Sequence, residues 1–328
     1  MRTLVIGASG HLGSHLVRIL LAAGHRVRVL IRPSSSRMAL LLPELETVLG
    51  DILDPPTLAS ALRGIDWVFH LAAPTTVEPN LAHTVIHGTA NVVNEAVRAG
   101  VARLIYTSST ATVGYSRRPD ILLDETSNVQ THVTEYHRAK WEAEKLVLAL
   151  GQSRGLDLVV VNPSMIVGPL DFRVTPSTAP IQSCLDRGLP FAFTGGLTVA
   201  HVKDVATGHL LAASHGLSGE RYILGGERVT VPDYFQLIAK ICGRWAPPIT
   251  LARPAMLAAG ALLSAFELVS GRPVPFTASS ARHIAGRYAW YSSEKARAAL
   301  GYTSRPIAIA VNDYVSWVRA GRPVPSED

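Results

Sequence analysis

Residues 4–13 read LVIGASGHLG, and this stretch decides the fold class. A short apolar run ends at a glycine, and a helical pattern follows over residues 12–23. The GxxGxxG spacing suits a tight turn in which the backbone approaches a pyrophosphate, and the N–H groups at a helix N-terminus favour its charge. The stretch therefore predicts a dinucleotide site formed by the residues of this turn: Gly7, Ser9, Gly10, His11, Leu12 and Gly13.

The alternation of strand and helix continues through the first 165 residues. Apolar runs predict further strands at 27–31, 47–49, 67–71, 104–107 and 158–161. Periodic patterns predict helices at 91–99 and 136–150. Repeated strand–helix–strand units indicate an α/β fold, a Rossmann-type doubly wound parallel sheet with helices on both faces. We predict an NADP-binding Rossmann domain over 1–165, to which segments around 198–225 return. A smaller C-terminal substrate domain is expected over 166–197 and 226–328.

The composition limits the classes of protein that fit. With 48% hydrophobic residues in 328 positions, the chain can bury a sizeable core, which excludes a disordered protein. The net charge is +6 and the pI is about 9.5, but no run of five or six basic residues occurs and no nucleic-acid-reading motif matches. We therefore expect no nucleic-acid partner, and a diffuse positive field suits a phosphate-bearing cofactor.

The sequence also indicates the cellular compartment of the protein. Cys184 and Cys242 lie far apart in the sequence and fit no metal or disulfide pattern, as is typical of a reducing cytoplasm. The N-terminus runs straight into a strand without an apolar leader. Residues 251–269 are apolar but are interrupted by residues such as Arg253 and Glu267, so we expect no integral membrane span. A helix packed on the substrate domain is the favoured interpretation, and loose membrane attachment is the alternative.

The end of the second predicted strand indicates which cofactor binds. NAD sites usually carry an acid there for the ribose hydroxyls, whereas NADP sites carry a cation for the 2′-phosphate. This chain has Arg32, three serines including Ser35, and Arg37, with no acid nearby. NADP(H) is therefore the preferred cofactor, with NAD(H) as the alternative. Asp51, followed by Ile52, is placed for the adenine end, unless it only closes a loop turn.

Tyr136 and Lys140 are the candidate acid–base pair. They begin a predicted helix with a spacing of four, which places both on one helical face. A phenol has an ordinary pKa of about 10, and a nearby ammonium favours the phenolate and lowers that pKa. The fifth strand ends in YTSST over residues 106–110, and each hydroxyl after Thr107 could polarise a substrate oxygen beside the phenol.

The motifs GASGHLG, GDILD, FHLAA, YTSST, YHRAK, NPSMIVGP, HVKDVATGH and SSEKARAALGY occur in this order along nearly the whole chain. Together they resemble the extended short-chain dehydrogenase/reductases. Within that group the chain is most similar to the dihydroflavonol-reductase-like branch, including bacterial members labelled hopanoid-associated sugar epimerases.

The resemblance implies roles for individual residues. Ser109 would be the catalytic hydroxyl, Tyr136 the acid–base and Lys140 its activator. Further cofactor contacts are implied for Leu71, Ala72, Ala73, Pro163 and Ile166. The resemblance also implies a homodimer formed by the helix at 91–99 and the helix that carries Tyr136, for which Ala143, Leu146 and Val147 could supply an apolar face.

Departures from the family pattern narrow the range of possible functions. Val85 stands where family members often have an asparagine, so a full four-residue proton relay is not expected. Gly114 replaces a substrate-binding asparagine of plant flavonoid reductases, so flavonoids are not implied. Leu197, four residues before His201, replaces an arginine that holds the diphosphate in nucleotide-sugar epimerases. Burying a diphosphate without a charged partner is costly, which disfavours a nucleotide sugar. The acid pair of sugar dehydratases is also missing.

Three functions stay open from the sequence. The leading one is reversible, NADP(H)-dependent reduction of a ketone or aldehyde of a small apolar or aromatic molecule. The second is a sugar epimerase or isomerase that uses the same triad and returns the hydride. The third is a dinucleotide-binding protein without catalysis. No metal site is expected. The candidate substrate contacts, several of which could equally belong to the core, are Thr75, Thr110, Met165, Phe172 and His201.

Overall fold

A computed structural model of the chain describes residues 1–40, 42, 44–73, 80–127, 134–271 and 277–324. In chain order its strands are β1 (Arg2–Ile6), β2 (Arg26–Ile31), β3 (Glu46–Leu49), β4 (Trp67–His70), β5 (Arg103–Thr107), β6 (Leu158–Pro163), β7 (Met165–Val167), β8 (Ala192–Phe193), β9 (Gly195–His201), β10 (Arg221–Leu224), β11 (Glu227–Thr230), β12 (Thr250–Leu251) and β13 (Arg287–Ala289). Its helices are α1 (His11–Ala22), α2 (Pro55–Ala61), α3 (Leu81–Arg98), α4 (Glu135–Arg154), α5 (Ala179–Arg187), α6 (Val202–His215), α7 (Val231–Cys242), α8 (Arg253–Ser270), α9 (Ala278–Ile284), α10 (Glu294–Leu300) and α11 (Ile307–Arg319).

The central sheet runs in the order β10-β6-β5-β4-β1-β2-β3 over the described residues. All of its neighbouring strands pair in parallel. The order reverses between β1 and β4, and in doubly wound sheets the ligand crevice opens at the carboxyl ends of the strands at such a switch point. The Rossmann-type fold class predicted from the sequence is confirmed.

Helices cover both faces of this sheet because successive strand residues point to opposite sides. Val5 and Val29 face a core that includes Leu16 of α1 and Val205 of α6. On the other face, residues such as Leu4 join a core with residues of α2, α3 and α4. The apolar runs in the sequence are thus strands buried on both sides, as parallel sheets require.

Four of the strands after β6 form a second, smaller sheet. Strand β9 pairs with β7, β11 and β13, and the core around it includes Tyr234 of α7 and Trp317 of α11. Strand β10 instead joins the central sheet beside β6, and α6 packs on α1. These contacts link the segment from Val202 to Leu224 with the first half of the chain. The division into a cofactor domain and a substrate domain remains our proposal.

The C-terminal part also anchors the segment after β5. Ser116 forms a bridge with Tyr288, and Leu123 forms one with Tyr291. The Tyr291 hydroxyl donates a hydrogen bond to the carbonyl of Gly114 at 2.6 Å. The segment that follows β5 is therefore held by residues that come 168 to 177 positions later.

Some elements differ from the sequence prediction. Helix α3 begins at Leu81, ten residues before the predicted start at 91. Its first half is rich in histidine, threonine and β-branched residues, which have low helix propensity, but burial of Leu81 and Val85 stabilises it. Among the described helices, none is both long and apolar enough to cross a bilayer.

The two cysteines, distant in the sequence, are neighbours in space. Both are free and buried, and their thiols interact as hydrogen-bond partners across α5 and α7. Burial raises the pKa of Cys242 to about 12. Both sulfur atoms are therefore held as protonated, shielded thiols.

Candidate active site

The glycine-rich turn joins β1 to α1 and touches the end of β4. Gly7 has a φ of +95°, a conformation that favours glycine, and a β-carbon there would lie 2.7 Å from the nitrogen of Ala72. A β-carbon on Gly13 would lie 2.2 Å from the carbonyl oxygen of Gly7. Only glycine fits these positions, which lie at the switch point of the sheet.

The first turn of α1 suits an anion. Gly10 is the N-cap, no side chain caps it, and no acidic residue occupies the first turn. Ser9 and Leu12 are half-buried. His11 is turned into the protein, where its Nε2 lies 3.1 Å from the carbonyl oxygen of Gly168. The turn therefore fits a pyrophosphate at the helix N-terminus, and His11 would contribute through its backbone.

The segment after β2 carries the predicted phosphate-binding cations. Arg32 and Arg37 are exposed, and Ser35 is half-buried. The carbonyl of Arg32 accepts a hydrogen bond from the N–H of Ser35 at 2.9 Å. Arg18 of α1 donates to the carbonyl of Ala39 at 2.8 Å. The backbone of this segment is thus anchored, whereas the two guanidinium groups remain accessible to a ligand.

Asp51 and Ile52 form a turn after β3. One carboxylate oxygen of Asp51 accepts the N–H of Leu53 at 2.9 Å, as a loop turn requires. The carbonyl of Ile52 accepts a hydrogen bond from the side chain of Asn91 at 3.0 Å. The buried side chain of Ile52 fills the space next to Gly88. Helix α3 therefore fixes this turn in place.

Residues after β4 lie at the same carboxyl edge. Leu71, Ala72 and Ala73 are half-buried, and the N–H of Leu71 donates to the carbonyl of Ile6 at 2.8 Å. This bond extends the pairing of β1 and β4 to the switch point. The predicted substrate contact Thr75 lies outside the described residues.

Helix α4 brings Tyr136 and Lys140 together against the core. Thr134 caps the helix by accepting the N–H of His137 at 3.3 Å, so Tyr136 falls in the first turn. Tyr136 is half-buried, whereas Lys140 is buried and donates from Nζ to the carbonyl of Thr107 at 2.8 Å. This bond attaches α4 to the end of β5, directly before the hydroxyls of residues 108–110.

Burial controls the protonation of both groups. It lowers the pKa of Lys140 to about 8, and the nearby Glu144 carboxylate opposes this change. It raises the pKa of Tyr136, and a hydrogen bond with the Ser109 hydroxyl opposes that rise. The direction for Tyr136 differs from the one predicted from the ammonium, because desolvation outweighs the other interactions. A phenol in this state is a proton donor.

Of the hydroxyls after Thr107, Ser109 is the accessible one. Ser108 and Thr110 are buried, and Thr110 donates to the carbonyl of Pro163 at 3.3 Å. Ser109 is half-buried and its Oγ accepts the N–H of Ala111 at 3.1 Å. The catalytic role of Ser109 remains a prediction, and its position beside the Tyr136 phenol favours it over its two neighbours.

A buried polar network behind Ser109 was missed by the sequence analysis. Glu144 accepts a hydrogen bond from Asn162 Nδ2 at 2.7 Å and pairs with Arg221 at 2.9 Å. Asn162 also donates to the carbonyl of Ser109 at 3.1 Å, and the Thr112 hydroxyl lies 2.9 Å from Glu144. The network connects α4, β6 and β10 to the turn that carries Ser109. The signal available in the sequence was the asparagine that ends an apolar strand.

A buried histidine also lies near Lys140. His70 is fully buried and its Nε2 lies 3.0 Å from the hydroxyl of Thr89. Burial lowers the pKa of His70 to about 3, and the Lys140 charge adds to this effect. Lys140 Nζ lies 5.1 Å from the ring centre of Tyr106. The histidine is therefore neutral, and the ammonium lies over an aromatic face.

The remaining substrate candidates lie mainly in the core of the smaller part. Met165 and Phe172 pack there, and Phe172 meets the Trp317 ring edge-on at 5.0 Å. His201 is buried, with Nε2 3.1 Å from an Asp313 carboxylate oxygen and Nδ1 accepting the N–H of Lys203. Ile166, the predicted nicotinamide neighbour, is half-buried on β7. Their contacts with a substrate or cofactor remain predictions.

The predicted dimer face is largely internal. Ala143 and Val147 are fully buried in the core between α4 and the sheet, and Leu146 is half-buried. Two of the three residues therefore pack inside a single chain and are not available to a partner. No group of three metal-ligating side chains occurs among the described residues.

Comparison with known proteins agrees with this architecture. The model of the NAD dependent epimerase/dehydratase family matches residues 3–225. Sterol demethylase protein B of Methylococcus capsulatus is 34% identical over 97% of this chain and 98% of its own. A putative dihydroflavonol 4-reductase of Synechocystis is 32% identical over 95% of this chain and 93% of its own.

The solved structure of gox2253 superposes with a TM-score of 0.87 at 35% identity, covering 98% of each chain. These matches extend over both the central sheet and the smaller C-terminal part. The chain therefore belongs to the NAD dependent epimerase/dehydratase family and, among the extended short-chain dehydrogenase/reductases, to the dihydroflavonol-reductase-like branch.

Proposed function

We propose that the chain is an NADP(H)-dependent oxidoreductase that reversibly reduces a ketone or aldehyde of a small, apolar or aromatic molecule to an alcohol. One observation carries the proposal. Helix α4 holds Tyr136 and Lys140 one turn apart against the end of β5, with Ser109 beside the phenol. A proton donor and a hydroxyl thus lie at the carboxyl edge of the sheet, where the glycine-rich turn also lies.

The residues of the crevice fit a nicotinamide dinucleotide, which supplies the hydride when bound. The space left by Gly7 and Gly13 and the free first turn of α1 suit the pyrophosphate. Leu71, Ala72 and Ala73 would line the crevice at the switch point. Pro163 and Ile166 would lie at the nicotinamide end, and Lys140 would hold the adjoining ribose.

The protonation and position of Tyr136, Ser109 and Lys140 support a catalytic role for each. Tyr136, whose pKa is raised by burial, would donate its proton to the carbonyl oxygen during reduction. Ser109 would hydrogen-bond the same oxygen as negative charge develops on it. Lys140 supplies a positive charge that favours the phenolate left after transfer.

The preference for NADP(H) over NAD(H) rests on Arg32 and Arg37. Both are exposed at the end of β2, where the ribose 2′-position of the cofactor is expected. Arginine binds a phosphate group through several parallel hydrogen bonds. No carboxylate occupies residues 32–37, so the ribose hydroxyls of NAD would lack their usual acceptor.

A sugar epimerase that uses the same triad is the second candidate, since the family includes such enzymes. Leu197 argues against it for nucleotide sugars. It lies in the middle of β9, paired with Val229 of β11 and Ala289 of β13, and it packs in an apolar core. A diphosphate placed there would lack a charged partner.

The substrate class is inferred from the surroundings and the relatives. Phenylalanine and methionine side chains line the core of the smaller part. Two relatives with about one third identity are named sterol demethylase protein B and putative dihydroflavonol 4-reductase, and both names refer to compounds with several rings. A homodimer remains part of the proposal, built on the outer surfaces of α3 and α4 because Ala143 and Val147 are internal.

The test is a screen of ketones, aldehydes and secondary alcohols for net oxidation of NADPH or reduction of NADP. We expect turnover of an apolar or aromatic carbonyl compound, and a loss of 10²–10⁴-fold in Tyr136→Phe with NADPH binding retained. Conversion of a sugar into its epimer without net NADPH consumption would favour the second candidate. A Tyr136→Phe enzyme with normal turnover would refute the mechanism.

A further inference from the structure

Helix α8 presents an apolar face to solvent. Leu262 is 72% exposed, Phe266 54% and Val269 88%. With Ala255 and Ala258, these residues recur at spacings of three and four, which places them on one face of the helix. Soluble helices bury such a stripe and expose charges. In α8 this stripe is exposed instead.

The opposite face of α8 holds the helix firmly on the protein. Met256 and Gly260 are buried, and a β-carbon on Gly260 would lie 2.8 Å from the Ala281 β-carbon of α9. The Ser264 hydroxyl accepts the N–H of Ala278 at 2.8 Å. Because α8 is attached through this close-packed face, its apolar face is fixed outward.

The two charged residues of α8 lie at its first turn and on the side that carries Met256 and Gly260. Arg253 begins the helix and is exposed, and Glu267, the other charged residue of the helix, is half-buried. Arg253 and Arg117 both act electrostatically on Arg287, whose guanidinium also donates to the carbonyl of Arg282. Three arginines, Arg117, Arg253 and Arg287, therefore lie together at the N-terminal end of α8 and form an arginine cluster.

We propose that the outer face of α8, with this arginine cluster, docks the protein onto the surface of an anionic lipid bilayer. An apolar helical face flanked by basic residues is the arrangement that binds lipid interfaces, with alkyl and aromatic groups entering the acyl boundary and cations meeting the head groups. A second copy of this chain fits less well. It would bring the same arginine cluster against the first one, whereas an anionic bilayer supplies the opposite charge.

The docking face is connected to the proposed active site. Arg253 packs against Gly286, and the neighbouring Arg287 lies over the Tyr115 ring at 4.0 Å. Tyr115 follows the Ser109 turn by six residues, and Ser116 bridges to Tyr288. A chain of contacts therefore links the N-terminal end of α8 to the loop that follows Ser109.

The test is co-sedimentation of the full chain with unilamellar vesicles of equimolar phosphatidylcholine and phosphatidylglycerol, compared with phosphatidylcholine alone. We expect binding to the anionic vesicles that weakens as salt is added. The double substitution Leu262→Glu and Phe266→Glu should weaken binding at least tenfold. Arg253→Gln should weaken it about fivefold, as expected for one surface cation.

Leu217→Glu is the matched control. Leu217 is 67% exposed but lies between α6 and β10, so its substitution should leave vesicle binding unchanged. Tyr136→Phe should also bind normally, which separates this inference from the proposed catalysis. Absence of wild-type binding, or equal binding by the double variant, would overturn it. So would a lipid-free dimer that the double variant converts to a monomer, because a second copy would then cover α8.

Discussion

Glu144 accepts a hydrogen bond from the side-chain amide of Asn162 at 2.7 Å, two helical turns beyond Tyr136. Since residues at spacings of four share a helical face, Tyr136, Lys140 and Glu144 form one row along α4. The first residue of the row lies beside Ser109 Oγ, the second reaches the carbonyl of Thr107, and the third reaches the strand after the helix. The row thus attaches α4 to the sheet by polar contacts.

Glu144→Gln should destabilise the protein by about 3 kcal/mol, because it leaves Arg221 without its buried carboxylate partner. Turnover should fall as well, since the Ser109 carbonyl is held through Asn162. Urea unfolding and steady-state kinetics measure the two effects. The control is Glu142→Gln on the same helix, where the carboxylate is exposed and pairs with Arg138 at 3.8 Å. Its change should stay within about 0.5 kcal/mol, and equal losses in both variants would contradict the prediction.

Arg32→Ala should weaken NADPH binding by roughly ten- to hundredfold and change NADH binding little, since a charge-assisted hydrogen bond contributes about 1.5–3 kcal/mol. Calorimetric titration with each cofactor gives the ratio. Arg26→Ala is the control, because Arg26 is also exposed and lies at the opposite end of β2. A wild-type chain that binds both cofactors equally would rule out the preference.

The buried Lys140 should make stability depend on pH in a defined interval. Its pKa is about 8 in the folded chain and 10.5 ordinarily, so between these values the unfolded chain binds more protons. The free energy of unfolding contributed by this group therefore rises with pH across the interval. The stability of the wild type relative to Lys140→Met should increase by up to about 3 kcal/mol between pH 8 and 10.5.

The control for this effect is the substitution Lys145→Met. Lys145 is exposed, and its ammonium lies 3.6 Å from the centre of the Trp141 ring. Because folding leaves this ammonium exposed to water, the substitution should not reproduce the rise in stability expected for Lys140 between pH 8 and 10.5. Denaturant unfolding at several pH values supplies the comparison. A constant difference for Lys140→Met as well would mean that the ammonium is not desolvated by folding.

The two thiols should be unreactive in the native protein. Burial raises the pKa of Cys184 and brings that of Cys242 to about 12, so little thiolate forms at pH 8. A thiol-specific chromogenic reagent should label neither within minutes, and both after unfolding in urea. Rapid labelling of two thiols in the native chain would contradict the burial of this pair.

Much of the central sheet could be predicted from the sequence, because its strands are apolar runs between clear turns. The Gly7 turn and the spacing of Tyr136 and Lys140 are local patterns, and both lie where they were expected. The small sheet around β9 was not predicted. Its pairs join segments 28 to 92 positions apart, and local periodicity does not record such pairing.

The polar network was missed for a related reason. A glutamate in a charged helix is usually solvated, so the sequence alone does not distinguish Glu144 from Glu142. Only the fold brings the first against Asn162 and Arg221 and leaves the second at the surface. The pKa of Tyr136 likewise depends on burial that a motif does not contain.

The bonds from Tyr291 to Gly114 and from Tyr288 to Ser116 have a consequence for synthesis. A nascent chain leaves the ribosome N-terminus first, so β1 through β6 can associate once Pro163 has emerged. The loop after Ser109 gains its last anchors only when residues 288–291 follow, and contacts over such long separations form slowly. A chain that stalls before that point lacks these anchors of the Ser109 loop, so we expect the proposed site to be completed only near the end of translation.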